Sequence, residues 1–89
     1  MACGEVEDAL TAQRNSAATL AAQREAVAQA ATAQRIARLQ YSQGMIDYLT
    51  VLTTERDLLS ARDAAVQAQW ARLAAAASVY QALGGGWNE

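Results

Sequence analysis

The sequence predicts an all-α protein, a long antiparallel helical hairpin of the coiled-coil type, and three observations carry that prediction. Twenty-three of the 89 residues are alanine and none is proline, so intrinsic helix propensity is high throughout. Between Gly4 and Gly84 the chain holds a single glycine, Gly44, close to its midpoint. Beyond it, Leu52, Leu59, Val66, Leu73 and Tyr80 recur at seven-residue intervals, the repeat of a coiled-coil seam.

The first helix is expected over about residues 5–43, a stretch with no helix breaker. The acids Glu5, Glu7 and Asp8 crowd its start and Arg35 and Arg38 lie near its end, an arrangement that complements the helix dipole. A weak seven-residue lattice runs through it, Val6, Leu20, Val27 and Tyr41, interrupted by Gln13 and Gln34 and flanked by alanines. Small residues of this kind let two helix backbones approach closely. The tripeptide AQR recurs at Ala12, Ala22 and Ala33 and keeps Arg14, Arg24 and Arg35 within one arc, read as a solvated arginine stripe rather than a binding patch.

The turn is expected at residues 44–46. Gly44 suits the position just past a helix C-terminus, where a left-handed backbone is needed. Asp47 reads as the N-cap of the second helix, with Ile46 before it and Val51 four residues after it as a hydrophobic staple. So short a link forces the two helices antiparallel.

The second helix is expected over about residues 47–83. Its stripe at 52, 59, 66, 73 and 80, with Tyr48, Trp70 and Ala77 beside it, is expected to be the core. Gly84, Gly85 and Gly86 stop it, and Trp87 in the 84–89 tail is expected to fold back on its last turn. Neither helix carries opposite charges at i,i+3 or i,i+4, so support from intrahelical ion pairs is missing. Packing must supply it, and a lone hairpin leaves its outer faces unpaired; self-association into a helical bundle is expected, a dimer for the isolated chain.

Several functions are excluded by composition. A net charge of −2 with no lysine offers no basic field for nucleic acid. Histidine is absent and Cys3 is the one cysteine, so no zinc set, Cys/His nucleophile or disulfide framework can form within one chain. Glu55, Arg56 and Asp57 are adjacent and point in different directions on a helix. No enzyme, cofactor or metal site is expected. No stretch reaches the roughly 20 apolar residues of a spanning helix, and MACGEVED lacks the apolar run of a signal peptide. An amphipathic membrane-surface helix is disfavoured because lysine is absent and bulky apolar residues are few on any face.

Two motifs, the central YSQGMIDYLTVLTTERDLLSAR and the terminal VYQALGGGW, together resemble the C-terminal part of the outer-membrane efflux protein family, the TolC/OprM-like exit ducts of tripartite pumps. Tyr41, Gly44, Tyr48, Leu49, Leu52, Glu55, Arg56 and Leu59 fall into register with the family's last hairpin, and Ala82 to Trp87 match the closing run of its lipoprotein branch. The opening EVEDAL is similar to the start of the family's penultimate long helix.

The resemblance implies a periplasmic α-barrel hairpin that walls a passive exit tunnel in a trimeric duct of the outer membrane and periplasm, partnered by a periplasmic adaptor and an inner-membrane pump. It implies that Gln43, Gly44 and Met45 form the adaptor-contact tip, with Tyr41 and Asp47 as candidates for the tunnel constriction. Some members carry an arginine or aspartate two residues after the glycine, where this chain has Ile46 and then Asp47. Asp47 therefore has two readings, gate and helix cap, and Tyr41 two, constriction and cover for the turn. Cys3 has no lipobox before it and is expected to be a remnant rather than a lipid-bearing cysteine. With neither β-barrel strands nor a first half, the chain is expected to be a soluble fragment of a duct. The alternative is a free-standing, self-associating hairpin module with no transport activity by itself.

Overall fold

Two helices account for the fold: α1, Ala2–Ser42, and α2, Tyr48–Leu83, run antiparallel along each other. The computed structural model describes residues 2–84, with side chains from residue 4 onward. The expected position of Trp87 and the surroundings of Cys3 lie outside the described side chains. The hairpin measures 65 × 20 × 13 Å and its radius of gyration is 19.7 Å, against about 12 Å for a compact chain of this length. It is a rod, and its core is one seam.

That seam is made of small and medium side chains. The buried residues are Ala9, Leu20 and Ala37 from α1 and Val51, Leu58 and Ala68 from α2. The expected lattice of α1 does face inward: Val6, Gln13, Val27 and Gln34 are partly buried around Leu20, which is 6% exposed. Tyr41, at its end, is exposed. Arg14, Arg24 and Arg35 are all exposed on the outside.

The expectation for α2 is corrected. Leu52, Leu59, Val66, Leu73 and Tyr80, with Trp70 and Tyr48, are not the core; all are exposed, Leu59 at 66% and Trp70 at 68%. The buried stripe is one residue earlier, Val51, Leu58 and Ala68, with Thr54, Ala61 and Ala65 partly buried on the same side. One residue on a helix is a rotation of about 100°, so both stripes share the seven-residue period and differ only in direction. The turn chooses between them: it delivers α2 with Val51, 2% exposed, against α1.

One ion pair is present among the described residues, and it crosses the seam: Arg38 Nη2 lies 2.8 Å from Glu55 Oε2. Both partners are partly solvated, so it is worth no more than about 1 kcal/mol. Its position is informative all the same, since it holds α2 in the rotation that turns Val51 and Leu58 inward. Arg38 thus serves the partner helix, and the last turn of α1 carries no basic residue. Hydroxyls at the seam's edge satisfy themselves on their own helix, Ser16 on the Gln13 carbonyl and Thr54 on that of Val51, and no buried side-chain polar atom among the described residues lacks a partner.

Candidate functional site

The candidate site is the hairpin tip, residues 41–48, and each of its backbone features follows from a particular residue. Gly44 has φ +76°, the left-handed conformation that costs an L-residue roughly 1–2 kcal/mol. This lets Gly44 N–H donate to the Tyr41 carbonyl at 2.9 Å and Met45 N–H donate to that of Gln40 at 2.9 Å, the paired bonds of a Schellman C-cap. Two helix-end carbonyls are satisfied, and the chain is turned.

Asp47 then starts α2. Its backbone is extended (φ −88°, ψ 169°), and its Oδ1 accepts from the Thr50 N–H at 3.0 Å and from the Thr50 hydroxyl at 2.7 Å. Asp47 is therefore a helix cap, as its position in the sequence indicates. The Thr50 hydroxyl, followed by the Thr50 backbone N–H, holds its carboxyl below the usual aspartate range. A carboxylate stabilised in the folded state adds stability above its unfolded pKa and loses it as pH falls through the folded value. The hairpin is accordingly expected to lose thermal stability on acidification from the ordinary aspartate range to below it. Circular dichroism melting of wild type against Asp47→Asn checks this: part of the acid-induced loss disappears in the variant, and identical pH profiles would contradict the assignment.

Tyr41 and Tyr48 meet across the turn with ring centroids 5.4 Å apart and planes tilted by 53°, within the range of favourable aromatic pairs. Both remain about half exposed. Gln43, Gly44 and Met45 form the outermost surface, Met45 being 64% exposed. The tip thus brings together all five residues singled out in the sequence: Tyr41, Gln43, Gly44, Met45 and Asp47. What it presents outward is one methionine, a glutamine amide, two tyrosines and one carboxylate.

At the opposite end the helices leave an open groove of about 530 Å³ lined by Glu5, Asp8, Ser78 and Gln81 among alanines, and no group of three metal-ligating side chains occurs among the described residues. No helix among the described residues is long and apolar enough to cross a membrane. The feature that sequence reasoning missed is that α2 carries two apolar stripes, set about 100° apart around the helix. The small stripe meets α1, and the large stripe faces away; the clue was the doublets Val51-Leu52 and Leu58-Leu59, seven residues apart.

Comparison with known proteins identifies the family. The family model described as outer membrane efflux protein matches residues 1–85. The pyoverdine export outer membrane protein OpmQ of Pseudomonas aeruginosa is 46% identical over 66 residues, covering 74% of this chain and 14% of that protein. The cation efflux system protein CusC of Escherichia coli O157:H7 is 35% identical over 85 residues, covering 96% of this chain and 18% of that one. The probable efflux pump outer membrane protein TtgC of Pseudomonas putida is 36% identical over 85 residues, again 96% and 18%. The chain thus spans less than a fifth of the length of these relatives. No solved structure matches it. With a family match running from the first helix through the turn to the glycine stop, this helical hairpin belongs to the outer membrane efflux protein family.

Proposed function

We propose that the chain is the periplasmic α-barrel hairpin of an outer membrane efflux duct, walling the exit tunnel while its tip, Gln43, Gly44 and Met45, meets a periplasmic adaptor. The observation that supports this most is the two-sided apolar character of α2. A helix in a compact bundle needs one broad apolar face; a helix in a single-layer wall needs two, one for each neighbour. Residues 51, 58 and 65 serve the neighbour within the hairpin, and the stripe of Leu52, Leu59, Val66, Trp70 and Leu73 is turned away from it by about 100° or more, all exposed. Covering a large apolar side chain is worth roughly 1.5–3 kcal/mol, enough in sum to drive neighbouring hairpins together.

In this reading transport is passive. The wall conducts without catalysis, opening comes from movement of adjacent hairpins at the tip, and the energy comes from an inner-membrane pump coupled through the adaptor. Tyr41 and Asp47 sit where the tunnel narrows, Asp47 combining its cap with a carboxylate at the mouth. The assembled duct is a trimer. The relatives' names span pyoverdine, cations and toluene, which fits a conduit whose wall leaves substrate choice to the pump.

The test is a graft. The segment of Escherichia coli CusC that matches this chain is replaced by it, and oligomer formation and cation tolerance are measured in cells lacking CusC. The expected result is an oligomer like that of CusC with tolerance restored, and loss of both when Leu59→Asp and Val66→Asp are added. A graft that folds and reaches the outer membrane but forms no oligomer would overturn the proposal. The second reading, a self-associating hairpin without transport activity of its own, draws on the same uncovered stripe.

A further inference from the structure

The end of the hairpin remote from the tip carries an open groove that the duct reading does not use, and the seam beside it has run out of bulk. Beyond Leu58, every buried or partly buried residue of α2 is alanine except Val79. Facing that stretch, α1 offers Ala9, buried, with Val6 and Gln13 partly buried. The groove of about 530 Å³ opens there, lined by Ala9 and Ala12 from α1 and Ala82 from α2, with Glu5, Asp8 and Ser78 among its polar groups. The side chains of Glu5 and Asp8 make no hydrogen bond or ion pair among the described residues.

We propose that the occupant is Trp87 of the same chain, its indole lying across the seam against both helices and closing the open end. The place where the chain leaves α2 favours this. Gly84 has φ +134° and its N–H donates to the carbonyls of Gln81 and Tyr80, so α2 ends beside the groove, of which Gln81 is a lining residue. An apolar residue after a helix-ending glycine commonly packs back on the last turn. Trp87 follows Gly84 by three residues, a reach of at most about 10 Å. Ser78, the groove residue farthest back along α2, precedes Gly84 by six, about 9 Å along the axis. The intervening Gly85 and Gly86 put no side chain in the way, and Trp87 is the one residue of 85–89 with apolar bulk. A flat ring suits alanine walls, and its N–H, a donor that buried indoles pair, has the Glu5 and Asp8 carboxylates and the Ser78 hydroxyl as acceptors. Packing on the last turn of α2 alone would supply part of this contact; the groove adds α1 and so ties the start of one helix to the end of the other. The inference does not rest on the duct reading, which the graft tests separately.

The experiment is fluorescence of the full chain carrying W70F, in which Trp87 is the single tryptophan. The expected result is emission bluer than that of the same chain unfolded in urea and quenched several-fold less by acrylamide, equally at every protein concentration. Ala12→Gln, which fills the groove from α1, is expected to remove that protection with helix content by circular dichroism unchanged. Ala18→Gln, at an exposed position of α1 outside the groove, is expected to leave it intact. Quenching equal to that of the unfolded chain, or protection that survives Ala12→Gln, would overturn the proposal, as would protection that grows with concentration, which would put a second copy in the groove. Nuclear Overhauser contacts in the unsubstituted chain give an independent reading: the Trp87 ring protons are expected to reach the methyls of both Ala12 and Ala82. Contacts to Ala82 with none to Ala12 would mean that Trp87 covers only its own helix, and would equally overturn it.

Discussion

Leu58→Ala is expected to destabilise the hairpin by about 2–3 kcal/mol, while Leu59→Ala, one residue along, leaves the isolated hairpin nearly unchanged. Leu58 is 7% exposed and Leu59 66%, so the first truncation opens a gap in the one seam the molecule has and the second removes atoms already in water. The value for Leu58 sits toward the low end for a leucine because a two-helix seam can partly close over the gap. Concentration separates the two residues further. A side chain in the internal seam contributes at every protein concentration, whereas one in a face between copies contributes only where copies meet. Urea unfolding at low and high concentration is the check: Leu58→Ala should lower stability in both, Leu59→Ala only at the higher. The reverse order would mean that α2 is rotated by one residue from the arrangement described.

Substitution of Gly44 tests the turn, the feature on which that rotation depends. The order of thermal stability expected is Gly44, then Asn, then Ala, then Val, with Gly44→Ala costing roughly 1–2 kcal/mol and the β-branched side chain more. The cost is conformational and not a collision: a Cβ built on Gly44 meets nothing within 4 Å, yet the backbone there has φ +76°. Asparagine tolerates that region best among the others. Thermal melts at one fixed concentration, monitored by circular dichroism, would show the order. Equal midpoints for alanine and glycine would mean that the Schellman bonds from Gly44 and Met45 do not set the reversal.

These two results meet at the same physical point. A hairpin of small residues has little to hold α2 in one rotation. The seam offers six buried side chains, three of them alanine, and larger side chains wait on the outward stripe. Hydrophobic burial alone would favour turning Leu52, Leu59 and Val66 inward. The cap at Asp47, the reversal at Gly44 and the Arg38–Glu55 pair at 2.8 Å oppose that turn, leaving the larger face for a neighbour.

What the sequence determined by itself was everything local in origin. Alanine content and the absence of proline predicted the helices; Gly44 and Gly84, both with positive φ, predicted their ends; Asp47 predicted its cap, and its bonds to Thr50 bear that out. The five tip residues were legible for the same reason, since a short turn brings sequence neighbours together in space. The direction of α2 was decided only by the tertiary structure. Val51, Leu58 and Ala65 repeat with the same period as Leu52, Leu59 and Val66, and periodicity along one helix carries no information about which way its partner lies. That direction is set by the path of the backbone through the turn and by a charge pair joining residues far apart in the chain, and it is why the larger stripe lies outside.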